Sequence, residues 1–140
     1  MKRVRPYTKP GRLADVLALI QVLALDQHTQ RSESGMKSEL QGQPASASSW
    51  FEVAKDHREF FRVTAGHEHG LSLVARYVLP KTGEDRPLLA SDLISALLET
   101  AINLHDRQMK DAERWKTYLP IWCAVIAGIF LMASTLIGHK

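Results

Sequence analysis

His67-Glu68-His69 is the one local cluster of metal-capable side chains in this 140-residue chain. On a strand, residues two apart face the same side, so two imidazoles there are placed to share a metal ion. His57 or Glu59 would have to supply a third ligand. No residue nearby is spaced to orient either ring, and a polar turn accounts for the same three residues. The cluster therefore reads as a turn, with no metal and no cofactor assigned. His105-Asp106 reads as a pair on a helix surface. Cys123, the single cysteine, excludes an intramolecular disulfide and a multi-cysteine zinc site. It sits in an apolar stretch with no basic activator, as an inert thiol would. The chain contains no G-x-S-x-G, P-loop, G-x-G-x-x-G or H-E-x-x-H motif. No catalytic residue is assigned, and a protein that is not an enzyme is expected.

The elements that would position these groups follow from hydrophobic periodicity. Leu13, Val16, Leu17, Ile20, Leu23 and Ala24 form a helical stripe, predicting a first helix over Leu13–Gln30. The basic residues before it give the segment the form of a secretory leader, but Asp15 and Gln21 interrupt the apolar run. Met36 and Leu40, four apart, suggest a short second helix within Ser32–Gly42. Ser49 and Glu52 fit a capping box at the start of a third, Ser49–His57. The period then changes to two. Phe61 and Val63, then Leu71, Leu73, Ala75 and Tyr77, predict a β-hairpin around a glycine-containing turn.

Charge is unevenly spread. Met1–Arg12 has five basic residues and no acid, whereas Leu13–Pro80 has six basic residues against eight acids, a net of −2. The sequence pI of about 9.2 thus comes from the arm. Duplex binding needs Lys and Arg on phosphates, so the domain's own charge disfavours nucleic acid. If nucleic acid is bound, Arg3, Arg5, Arg12, Lys55, Arg58, Arg62 and Arg76 are the candidate contacts, and they serve equally for a protein partner.

Leu119–Ile137 contains no charge. Nineteen residues rise roughly 28 Å, near the ~30 Å of a bilayer core, so a transmembrane helix is expected there. Trp115, Tyr118 and Trp122 would lie at its membrane interface. Arg107, Lys110, Arg114 and Lys116 precede it and only Lys140 follows. The positive-inside rule then gives a single-pass, tail-anchored inner-membrane protein with its N-terminus in the cytoplasm. Before it, Ile94, Leu97, Ala101, Leu104 and Gln108 keep heptad spacing. With the small pair Ala124 and Gly128, that spacing suggests a parallel homodimer through stalk and anchor.

Three helices followed by a two-stranded hairpin is the order of a winged-helix domain. Over about Arg12–Leu79 the chain resembles that fold: SSWFEVAKDHREFFRV and SLVARYV look like its third helix and two wing strands. The layout is also similar to that of bacterial membrane-anchored proteins. The resemblance implies a domain that binds DNA or protein, with no catalytic residues. The expected architecture is mainly α with a small β-hairpin (α+β). A flexible basic arm (1–12) leads into a winged-helix-like soluble domain (13–80). A linker (81–87), an amphipathic juxtamembrane helix (88–118) and a single C-terminal transmembrane helix (119–137) follow. The expected function is recruiting or sensing a protein partner at the inner membrane face. A membrane-tethered nucleic-acid-binding regulator is the alternative, and a small metal protein or enzyme using His67 and His69 the third.

Overall fold

In a computed structural model the chain is described over residues 6–64, 70–81, 83 and 86–137, with side chains described for all of these but 115–117, 119 and 130–137. It is mainly helical, with one two-stranded sheet. A 3-10 turn, Pro6–Thr8, opens the described chain. Gly11 then adopts φ 76° and starts α1, Arg12–Leu25. Val16, Leu19, Ile20, Leu23 and Ala24 recur on one face of α1 and are buried. A fully buried Ile or Leu of this kind is worth roughly 1.5–3 kcal/mol.

The helix ends five residues before the predicted Gln30. The apolar stripe stops at Leu25, and Asp26 turns the backbone to extended geometry (ψ 138°). Its Oδ1 accepts the His28 N–H at 2.8 Å, the local competition with helix that short acidic side chains offer. The chain just past these residues joins the sheet through Arg31. β1 (Phe61–Val63) pairs antiparallel with β2 (Leu71–Leu73) in the register Phe61↔Leu73, Arg62↔Ser72 and Val63↔Leu71. On the other side of β2, Arg31 and Leu71 exchange backbone hydrogen bonds of 2.8 and 3.0 Å.

Two short helices close the core. Ser32 caps α2, Glu33–Glu39, by accepting the Gly35 N–H, and Met36 is its buried residue. Ser49 caps α3, Trp50–Asp56, by accepting the Glu52 N–H at 3.1 Å. Glu52 in turn accepts the N–H and hydroxyl of Ser48, one residue earlier than a capping box would place the return bond. Glu33 reaches over from α2 and accepts the N–H groups of Trp50 and Phe51, both at 2.9 Å. Its carboxylate therefore sits at the positive end of α3.

The last element, α4, is a single helix from Ser91 to Ile137 that runs through Pro120. Its first half packs Ile94, Leu97, Leu98, Ala101 and Leu104 onto the core, chiefly against α1 and the opening 3-10 turn. From Glu113 onward the described side chains are exposed. Among the described residues no helix is long and apolar enough to cross a membrane. This overturns the span expected at Leu119–Ile137. Up to Lys116, α4 carries charges or is given over to packing on α1. The tail-anchored arrangement, the inner-membrane location and the interfacial roles of Trp115, Tyr118 and Trp122 lose their support with it.

Candidate functional site

Arg76 was expected among the surface arginines. It is fully buried instead. β2 stops at Leu73 and Val74–Tyr77 winds into a 3-10 turn, which carries the guanidinium under the end of α1. There Nη1 donates to the carbonyls of Asp26 at 2.7 Å, His28 at 2.9 Å and Leu23 at 3.3 Å. Nη2 donates to Arg86 O at 2.6 Å and Gln27 O at 3.4 Å. The positive group thus satisfies carbonyls at the negative end of a helix. Arg76 is a structural clamp, and its assignment as a phosphate contact is corrected.

Arg12 is corrected for the same reason. Its side chain is fully buried, with Nη1 3.0 Å from Asp56 Oδ2 and Nη2 donating to Ser46 O at 3.1 Å. Neighbouring Asp15 accepts the N–H groups of Ala45 and Ser46 and the Ser46 hydroxyl. The first turn of α1 therefore fastens both the loop before α3 and the end of α3.

Lys55, Arg58 and Arg62 remain exposed, the last with its guanidinium 5.8 Å from the Tyr77 ring centroid. Arg86 stacks on that ring at 4.6 Å, and Gln30 donates to the Tyr77 hydroxyl. Burial pushes this hydroxyl up, but hydrogen bonds with Ser72 and Gln30 and the charges of Arg62 and Arg86 outweigh it, so it lies below the usual tyrosine range. Arg3 and Arg5 lie outside the described residues, as do His67, Glu68 and His69. Among the described residues no three metal-capable side chains come together.

His57, considered as a third metal ligand, is fully buried at the end of α3. Its Nδ1 lies 3.0 Å from Glu59 Oε1, and the Tyr7 ring packs on it with centroids 4.3 Å apart. Tyr7 also meets His105 of α4 edge-on at 6.0 Å and donates its backbone N–H to Gln108 Oε1 at 3.2 Å. Neither the Tyr7 hydroxyl nor His57 Nε2 has a hydrogen-bond partner among the described residues. Burial, and then the Glu59 charge, pushes the Tyr7 hydroxyl well above the ordinary tyrosine range. Burial also raises the Glu59 carboxyl, but bonds from His57 and from its own backbone outweigh it and hold Glu59 below the usual carboxylate range. This cluster joins the N-terminal turn, α3 and α4, with Tyr7 and His57 buried inside it and Glu59 at its exposed edge, so it binds the elements to one another.

The exposed half of α4 has the opposite character. Tyr118, Ile121, Trp122, Val125, Ile126 and Ile129 are each about half exposed or more, with Trp122 at 65% and Ile129 at 63%. Cys123 is exposed among them. A contiguous band of large apolar side chains on a helix marks a place where another surface docks. Sequence periodicity alone could have marked this band, because the six residues keep 3- and 4-residue spacing. The roles of Arg76 and Glu33 left no local signal, since their partners lie far along the chain.

No family model matches the chain, and neither a curated protein nor a solved structure matches it.

Proposed function

We propose that this chain is a non-catalytic protein-interaction module: a winged-helix-like domain carrying a long helix that docks a protein partner. The observation that carries the reading is the band of six large apolar side chains on the exposed half of α4. Water-exposed tryptophan and isoleucine side chains at helical spacing are costly unless another surface covers them. The winged-helix likeness is supported by the order of three helices and a hairpin, and by the Arg31 bridge alongside Leu71.

The test is affinity capture with the full chain and with a Val125→Asp, Ile126→Asp variant, quantified side by side. A defined protein recovered by the first and depleted at least tenfold with the second is expected. Equal recovery by both would sink the reading.

A second reading, nucleic-acid binding, draws on Lys55, Arg58 and Arg62, which are exposed on α3, in the turn after it and on β1. Two of the arginines that would have joined them are buried in structural roles. Titration of the full chain with labelled duplex at physiological salt decides between the readings. Tight binding that weakens steeply with salt, and weakens when Arg58 and Arg62 become alanine, would favour the regulator.

A further inference from the structure

We propose that the exposed half of α4 pairs in parallel with the same segment of a second copy of this chain. This rests on the reading above that the apolar band is a docking surface, and it names what docks. Tyr118, Trp122, Val125 and Ile129 follow one another at four, three and four residues, the spacing of a helix–helix seam. Ile121 and Ile126 flank the seam on either side. Each of the six side chains is exposed by 49% or more.

The position of the band along α4 leaves room for a partner helix. At about 100° and 1.5 Å per residue, its middle lies roughly 60° round α4 from the face that carries Leu97, Ala101, Leu104 and Gln108, and it begins about 15 Å beyond Gln108. That second face is the one packed on α1 and the N-terminal turn. A helix laid along the band therefore meets α4 without displacing the domain.

Area and symmetry favour a second copy. From their fractional exposures, the six side chains present roughly 700 Å² per copy, given ~150–250 Å² for each large side chain. Two copies offer about 1,400 Å², within the ~1,200–2,000 Å² of a stable interface. A two-fold pair requires a patch that complements itself, and a seam aligned with its own copy meets that requirement. The alignment is parallel because of where the charges fall. Arg107, Lys110, Arg114 and Lys116 precede the band, and the sequence after it is apolar to Ile137. An antiparallel pair centred on the band would lay those cations along the partner's apolar end. A parallel pair matches apolar to apolar and sets the charged segment, where Asp106, Asp111 and Glu113 alternate with the cations, against its own copy in water. Cys123 lies roughly 130° from the middle of the band by the same helical geometry, so it faces away from the seam.

The test is sedimentation of the full chain, with cysteine crosslinking as a second readout. A discrete dimer is expected, with a dissociation constant that rises at least ~100-fold in Val125→Asp. In a Cys123→Ser background, Val125→Cys forms an interchain disulfide on mild oxidation, whereas native Cys123 does not. A monomer at every concentration, an open-ended aggregate, or faster crosslinking through Cys123 would each overturn the pairing. A monomer whose partner capture still depends on Val125 and Ile126 overturns the pairing alone. A monomer whose capture ignores them overturns the docking reading too.

Discussion

The Arg76 guanidinium donates to the Asp26 carbonyl across 2.7 Å, joining residues 50 apart in sequence. Through that contact and its neighbours one cation holds the end of α1, the turn after it and the segment that leads into α4. Arg76→Ala takes this donor from the buried Leu23 carbonyl and from part-buried carbonyls around it, at a cost of roughly 2–4 kcal/mol. Arg76→Lys restores the charge but not the fork, and recovers only part of that loss. Arg58→Ala, in the exposed turn after α3, shifts stability by less than ~0.5 kcal/mol. Urea unfolding of the three variants, at equal slope, measures the difference.

Glu33 supplies α3 with a cap from another helix. Glu33→Ala removes the acceptor for the Trp50 and Phe51 N–H groups and is expected to cost about 1 kcal/mol. Glu33→Gln keeps one acceptor oxygen and costs less. Thermal unfolding of the pair against the parent checks the order.

Tyr7 sets an alkaline limit on stability. Its folded-state pKa is raised, so the folded protein holds the phenolic proton more tightly than the unfolded chain does. The resulting stability is complete below the ordinary tyrosine value of about 10 and is lost as pH rises beyond it. Tyr7→Phe deletes a buried hydroxyl that has no partner among the described residues. It is expected to leave neutral-pH stability unchanged or raised by up to ~1 kcal/mol. It should also flatten the decline above pH 10. Tyr77 is shifted the other way, so Tyr77→Phe would not reproduce that flattening. Denaturant midpoints between pH 7 and 11.5 test both statements.

Gly11 is required by its backbone. At φ 76° a side chain is strained, and a Cβ there would stand 3.2 Å from the Ala45 Cβ. Gly11→Ala is expected to cost roughly 1–2 kcal/mol, read as a lowered thermal midpoint.

Much of the local structure was legible in the sequence because its causes are local. The stripe from Leu13 to Ala24 marks the buried face of α1, and Ser49 marks the start of α3. The hairpin shows in the alternation about Phe61 and Leu71, and a mainly helical chain with a two-stranded sheet stands. What local pattern misjudged was decided by distant partners. Gln30 lies outside α1 because the chain after Asp26 is drawn to Leu71. Ala75 and Tyr77 leave the predicted strand because Arg76 turns inward to carbonyls that no window around it contains. Arg12 reads as part of a basic arm until Asp56, 44 residues later, is folded against it. The same limit misled at the C-terminus. An uncharged run reads as a membrane span by composition, whereas among the described residues no helix is long and apolar enough to cross a membrane.

Leu71 has a neighbour on each flank, Val63 on one and Arg31 on the other. At that residue β2 has no open edge to offer a stray strand. The outer rim of the sheet belongs to β1, where the charged Arg62 stands exposed, a residue type that discourages edge-to-edge sticking. A pull on the hairpin would be felt at once in the connection between the first two helices, making this single residue the keystone through which the sheet and the helical layer resist shear together.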